Sequence, residues 1–219
     1  MIRVHVICEG STEEMFIKEI LAEYFLSQQI YLIPSLIGKP GHKGGNICYT
    51  RLLTDVSLRL KNDKQCYCTT MLDYYGLHIE FPGKKEAVKS NSILDKSKIM
   101  KKYLSAEITK KLGDMSSRFI PYIQFHEFEG LLFSAPETLA NSLNCDLIHE
   151  FQKIRDKYPS PEDINDNIET APSKRISSLH PSYDKPYHPI MVALDIGLDL
   201  MREECKIFNS WILSLEALN

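Results

Sequence analysis

The chain has 219 residues, 43% of them hydrophobic and 25% charged, and a formal net charge of −3. This composition supports a sizeable core and excludes overall disorder. It also excludes a nucleic-acid binder that works by bulk positive charge, and no apolar run approaches the roughly 18 residues of a membrane span.

Residues 2–8 are short, apolar and β-rich and read as a buried first strand. No charged and apolar leader precedes them, so no secretory signal is expected. Glu9-Gly10-Ser11-Thr12-Glu13-Glu14 turns into a helix, with Ser11 or Thr12 able to cap it and Glu13 and Glu14 suiting the positive end of its dipole. Apolar spacing carries that helix to Phe25. Ile30 to Ile37 reads as a second strand, followed by the Gly-rich basic loop 38–45 and a helix from about Tyr49 to Leu60. Cys66 to Leu72 is a third strand that ends at Asp73. Residues 74–91 read as irregular, with a turn at Phe81-Pro82-Gly83, and a helix covers Ile93 to Leu112. Arg118 to Phe125 is a fourth strand, with His126-Glu127-Phe128-Glu129 at its end.

Pro136 marks a boundary, and Leu139 to Tyr158 reads as one helix. Residues 159–189 form a long loop rich in Pro, Ser and Asp, with a short helix near 161–165. Ile190 to Leu218 reads as two helices broken near Lys206. Strands alternating with helices imply an α/β fold with a largely parallel sheet covered on both faces. Right-handed crossovers place the C-terminal ends of the strands on one edge, where such folds build their sites.

Six cysteines are scattered, several in apolar runs, and read as reduced thiols of a cytoplasmic protein. Cys66 and Cys68 lack a second pair at zinc spacing. Three carboxylate groups follow three strands: Glu9, then Asp73, then Glu127 with Glu129. Converging on one edge, they would suit Mg²⁺ or Mn²⁺, hard cations that take oxygen ligands and water. Polar residues commonly follow buried strands, so the spacing alone is weakly specific.

Basic candidates are of three kinds. His42 and Lys43 sit in a Gly-rich loop able to meet a phosphate backbone, but no Lys-Ser/Thr closes it as a nucleotide-triphosphate loop would require. Lys84, Lys85 and Lys89, then Lys96, Lys98, Lys101 and Lys102, form a second basic stretch. Ser173-Lys174-Arg175 is a candidate anion site, with Lys185 as an alternative. Tyr74, Tyr75 and Phe81 can stack on bases or anchor a loop, and His126 beside the carboxylates can move protons or hold a structural hydrogen bond.

Val6-Ile7-Cys8-Glu9-Gly10-Ser11-Thr12-Glu13-Glu14 resembles the first motif of the Toprim fold, in the variant found in nucleases of the overcoming-lysogenization-defect type. Residues 71–76, 118–133 and 171–176 extend the resemblance over nearly the whole chain to a bacterial Toprim-related family of unknown function. The resemblance implies a Toprim-like Rossmannoid core over 1–135, with a four-stranded sheet flanked by helices. A helical extension over 136–219 would pack on it.

It further implies a metal-dependent nuclease, an effector beside a nearby-encoded ATPase of the SMC/ABC type in anti-phage or mobile-element defence. A homodimer is compatible with it. Glu9 would be general acid/base or ligand, Asp73, Glu127 and Glu129 metal ligands, and Lys174 or Arg175 the group that neutralises phosphate. One departure is Tyr75, which stands where that family's second motif carries another carboxylate. Glu129, or Glu127, would then supply the missing oxygen, or metal binding is weakened and the chain is a binding or regulatory subunit.

Overall fold

The computed structural model describes residues 1–38, 47–164, 169–185 and 187–219. The first strand, β1 (Ile2–Cys8), runs into α1 (Ser11–Phe16), a π turn over Ile17–Leu21, and α2 (Ala22–Leu26). β2 (Ile30–Leu36), α3 (Tyr49–Asn62) and β3 (Tyr67–Asp73) follow. A short α4 (Lys84–Ala87) precedes the long α5 (Ile93–Leu112), whose N-terminus is capped by Ser92 accepting from Asp95 N–H. β4 (Phe119–Ile120) and β5 (Ile123–Gln124) complete the sheet. The C-terminal region is helical: α6 (Pro136–Ser142), α7 (Ile148–Arg155), α8 (Pro172–Leu179), α9 (His188–Ile196), α10 (Leu198–Glu204) and α11 (Lys206–Glu216).

The sheet is parallel, with order β2-β1-β3-β4 and β5 also on β3. From β1 the chain moves outward on one side to β2 and then returns to the other side for β3. The order therefore reverses between β1 and β3, which is where open α/β sheets leave a crevice beyond the strand ends. Cys8 registers with both Leu36 and Met71, so Glu9 and Asp73 end adjacent central strands.

The fourth strand departs from expectation by splitting in two. Pro121 has no N–H to give to a ladder, and the hydroxyls of β3 take over. Thr69 Oγ1 donates to Ile120 O and Thr70 Oγ1 to Tyr122 O, both at 2.6 Å, while Tyr122 N–H donates to Thr70 Oγ1 at 2.9 Å. Beyond Gln124 the strand does not continue. His126 takes φ of 64°, Glu127 is extended, and a 3-10 helix begins at Phe128.

The expected helix over 139–158 is also two, broken where Asn144 adopts φ of 51°. The C-terminal segment breaks at Gly197, with φ of 80°, as well as at Cys205. The breaks at Asn144 and Gly197 use residues that tolerate the left-handed region. One hydrophobic core joins the sheet to the C-terminal helices. Phe16 of α1 meets Phe128 at 4.9 Å and Phe208 of α11 at 6.0 Å between ring centroids. Among the described residues, no helix is long and apolar enough to cross a membrane.

Candidate functional site

At the strand-order reversal the Glu9 side chain crosses from β1 to β3, where its Oε2 accepts the N–H of Asp73 at 3.0 Å. The next loop leaves room for it only because residue 76 is glycine. A Cβ there would stand 2.6 Å from Glu9 Oε1. Gly76→Ala is therefore expected to displace this carboxylate and destabilise the fold by about 1–3 kcal/mol, since Asp73 N–H loses its acceptor. Urea denaturation measures the change; unaltered stability would mean that the loop simply shifts.

Glu13, one turn into α1, is buried, and its Oε2 accepts Gly10 N–H at 2.8 Å. In the sequence Glu13 reads either as a functional carboxylate or as a favourable charge at a helix start; the structure places it beside Glu9 and Asp73. Asp73 is the centre of the cluster. Burial first, then Glu13, Glu9, Glu129 and Glu127, hold its carboxyl well above the usual range. Its Oδ1 is out of solvent contact, with no hydrogen-bond partner among the described residues.

The turn into the 3-10 helix does not separate Glu127 from Glu129. Glu127 Oε2 accepts Ser173 N–H at 3.0 Å, at the start of α8. Glu129 is almost wholly buried, and its Oε1 lies 3.2 Å from Lys185 Nζ. Burial, then Lys185 in the opposite sense, set the Glu129 carboxyl at about 7. Burial also raises Glu9 and Glu13. At Lys185, burial opposes the charge, but Glu129 and then Glu127 raise the ammonium above its ordinary value. Tyr183, two residues earlier, has a buried hydroxyl without a hydrogen-bond partner among the described residues; burial, then Glu129 and Glu127, disfavour its ionisation.

Five carboxylates and one lysine thus meet. The four acidic residues expected from the sequence are all present, with Glu13 added. Lys185, the weaker alternative in the sequence, is the cation that reaches them. Lys174 is exposed on α8, and Arg175 turns away, donating to Thr170 O at 2.7 Å and Tyr158 Oη at 2.9 Å.

Lys84 is a correction. Rather than facing nucleic acid, it is buried, donates to Tyr74 O and lies 3.2 Å from the centre of the Tyr74 ring. Burial, then Lys96, lower its ammonium to about 8. Lys85 is exposed and pairs with Glu80 at 2.7 Å. His42 and Lys43 lie outside the described residues. His126 is buried edge-on to Tyr74 and Phe125. Tyr75 is half-buried, its N–H donating to His126 O at 3.4 Å.

Among the described residues the cluster is all carboxylate apart from Lys185, and Asp73 Oδ1 has no hydrogen-bond partner. These features fit a hard divalent cation. Among the described residues no three His, Cys, Asp or Glu side chains are set to hold an ion together. An ion here would be held by one or two carboxylates, Asp73 foremost, and by water, as Mg²⁺ commonly is.

Fold and site together define a parallel α/β protein with a buried acidic centre at the reversal of its strand order. The chain belongs to the family described as a domain of unknown function, DUF4276, whose model matches residues 8–216. No curated protein and no solved structure matches it.

Proposed function

We propose that the chain is a Mg²⁺- or Mn²⁺-dependent nuclease that hydrolyses phosphodiesters of DNA or RNA. The observation that carries this reading is Asp73, its Oδ1 buried among carboxylates that follow three strands and without a hydrogen-bond partner among the described residues. The likeness of the Glu9 segment to the Toprim motif supports it. Asp73, with one of Glu129 and Glu127, would hold the metal together with water. When bound, the metal supplies Lewis acidity for the phosphodiester and lowers the pKa of a coordinated water.

Glu9 is the proton carrier in this reading. Burial raises its carboxyl while Asp73 N–H fixes one oxygen, an arrangement suited to general acid/base work. Lys185 neutralises phosphate charge in place of Lys174 or Arg175. The reading places the enzyme in the cytoplasm, in keeping with six free cysteines, as the effector of an ATPase-associated defence system with the ATPase acting in trans.

The test is cleavage of DNA and RNA by the purified chain with Mn²⁺, with and without the ATPase. Glu9→Gln is expected to lower the rate by about 10²–10⁴-fold. Undiminished cleavage in both Glu9→Gln and Asp73→Asn would rule out this mechanism.

A second reading is a catalytically weak binding or regulatory subunit. Tyr75 at the position of a motif carboxylate favours it, as does the lack of a three-ligand group among the described residues. Calorimetric titration with Mn²⁺ separates the two: saturable binding lost in Asp73→Asn supports the enzyme, and no binding supports the subunit.

A further inference from the structure

A groove outside the acidic centre runs between α5 and α11 over the edge of the sheet at β4 and β5, and encloses about 150 Å³. Its floor is apolar, built on Ile120 and on the stacked pair Tyr122 and Trp211, whose rings lie 4.3 Å apart at 5°. Lys98, Lys101 and Lys206 line it, and none of the described residues lining it is acidic. In a chain of net charge −3 this is a local reversal of sign. An apolar cavity near 150 Å³ accepts one six-membered ring. A ring-sized apolar slot edged by ammonium groups is complementary to a flat body that carries a phosphate.

We propose that this groove binds a nucleotide, the pyrimidine ring in the apolar slot and the phosphate at Lys101 and Lys206. Lys98 also stands 3.8 Å from exposed Asp95 and contributes less. The choice of a nucleotide rests on the nuclease reading, with the groove holding part of the substrate strand or a free nucleotide. The sheet links the two sites. Phe125 lines the groove and stacks on Tyr74 at 4.8 Å, next to Asp73.

Trp211 is the chain's single tryptophan and reports directly on its own groove. Its fluorescence is to be titrated in EDTA with thymidine 5′-monophosphate, a 5′-phosphorylated thymidine tetranucleotide, inorganic phosphate and benzoate. The mononucleotide is expected to give a saturable change. Its affinity should fall about tenfold in Lys101→Glu and in Lys206→Glu, the scale of one lost charge contact. It should be unchanged in Lys102→Glu, an exposed lysine of the same helix outside the lining. Tighter binding of the tetranucleotide assigns the groove to a substrate strand, and equal binding assigns it to free nucleotide.

Inorganic phosphate or benzoate binding as well as the nucleotide overturns the proposal. So does an affinity insensitive to both lysine reversals, or no fluorescence change at millimolar nucleotide. Circular dichroism checks that the variants fold. The two readings fail separately, because EDTA removes the metal: an inactive chain can still bind nucleotide here, and an active nuclease with a silent Trp211 sinks the groove alone.

Discussion

Asp73→Asn is expected to stabilise the metal-free protein at pH 8 and to remove its response to Mn²⁺. Burial and four carboxylates raise the Asp73 carboxyl well above its reference value of 3.8. A group whose folded pKa lies above its unfolded pKa binds extra protons in the native state between those values. Its contribution to stability is complete below the unfolded value and is lost as pH rises through the folded one. Wild-type stability therefore falls from about pH 4 upward, while asparagine carries no such penalty.

Glu129, nearly wholly buried and at about 7 against a reference of 4.5, acts in the same sense, by about 3 kcal/mol. For Asp73→Asn at pH 8 the expected gain is about 1–3 kcal/mol, or about 3–10 °C in Tm, shrinking toward zero at pH 5. Mn²⁺ at a hundredfold its Kd should stabilise the wild type at pH 8 by about 2.7 kcal/mol, and the variant by little. The metal must displace protons, so its effect should fade toward pH 5. Thermal denaturation at both pH values, with EDTA or Mn²⁺, measures all four conditions. A variant less stable than wild type at pH 8, or one that keeps the Mn²⁺ shift, would refute the assignment of Asp73.

The same geometry shows which parts of the site a sequence can carry. Glu9, Asp73, Glu127 and Glu129 are legible because each follows a short apolar run, and parallel crossovers bring such ends together. Lys185 is not legible in that way. It lies in the connection between α8 and α9, where the sequence reads one long loop over 159–189, and its neighbours in sequence do not signal its partner. The Ser173-Lys174-Arg175 segment does reach the site, but through the backbone N–H of Ser173 on Glu127. A search by side-chain charge cannot see a backbone donor.

Lys84 shows the reverse problem. Within a lysine-rich stretch it reads as surface, yet Tyr74 offers it a carbonyl and a ring face, and it folds inward. Pro121, Asn144 and Gly197 are punctuation that periodicity alone overran. The hydroxyls of Thr69 and Thr70 that repair the sheet at Pro121 come from another strand, so only the folded chain displays the repair.

Glu162 is the buried carboxylate that the acidic centre does not use, and its removal is the second large effect expected. In the 3-10 turn over Pro161–Asp163 it is only 1% exposed, and its two oxygens accept Ile207 N–H and Phe208 N–H, both at 2.9 Å. These are orphan donors of the first turn of α11, which no residue next to the helix caps. Glu162→Ala leaves both unsatisfied in the core and should destabilise by about 2–4 kcal/mol at pH 5, and by less at pH 8, where the wild type already bears the cost of ionising the buried carboxyl.

Glu162→Gln separates charge from hydrogen bonding. Burial first, opposed by the two N–H groups, sets the carboxyl at about 7. Its ionisation therefore costs the native state about 3 kcal/mol as pH rises from about 4.5 through 7. Glutamine avoids that cost but keeps only one acceptor oxygen, a loss of about 1–2 kcal/mol. The glutamine variant should accordingly be less stable than wild type at pH 5 and equal to it or more stable at pH 8. Urea denaturation at the two pH values tests for this crossover. A glutamine variant destabilised equally at both would show that Glu162 acts through hydrogen bonding alone, with no part in the pH dependence of the fold.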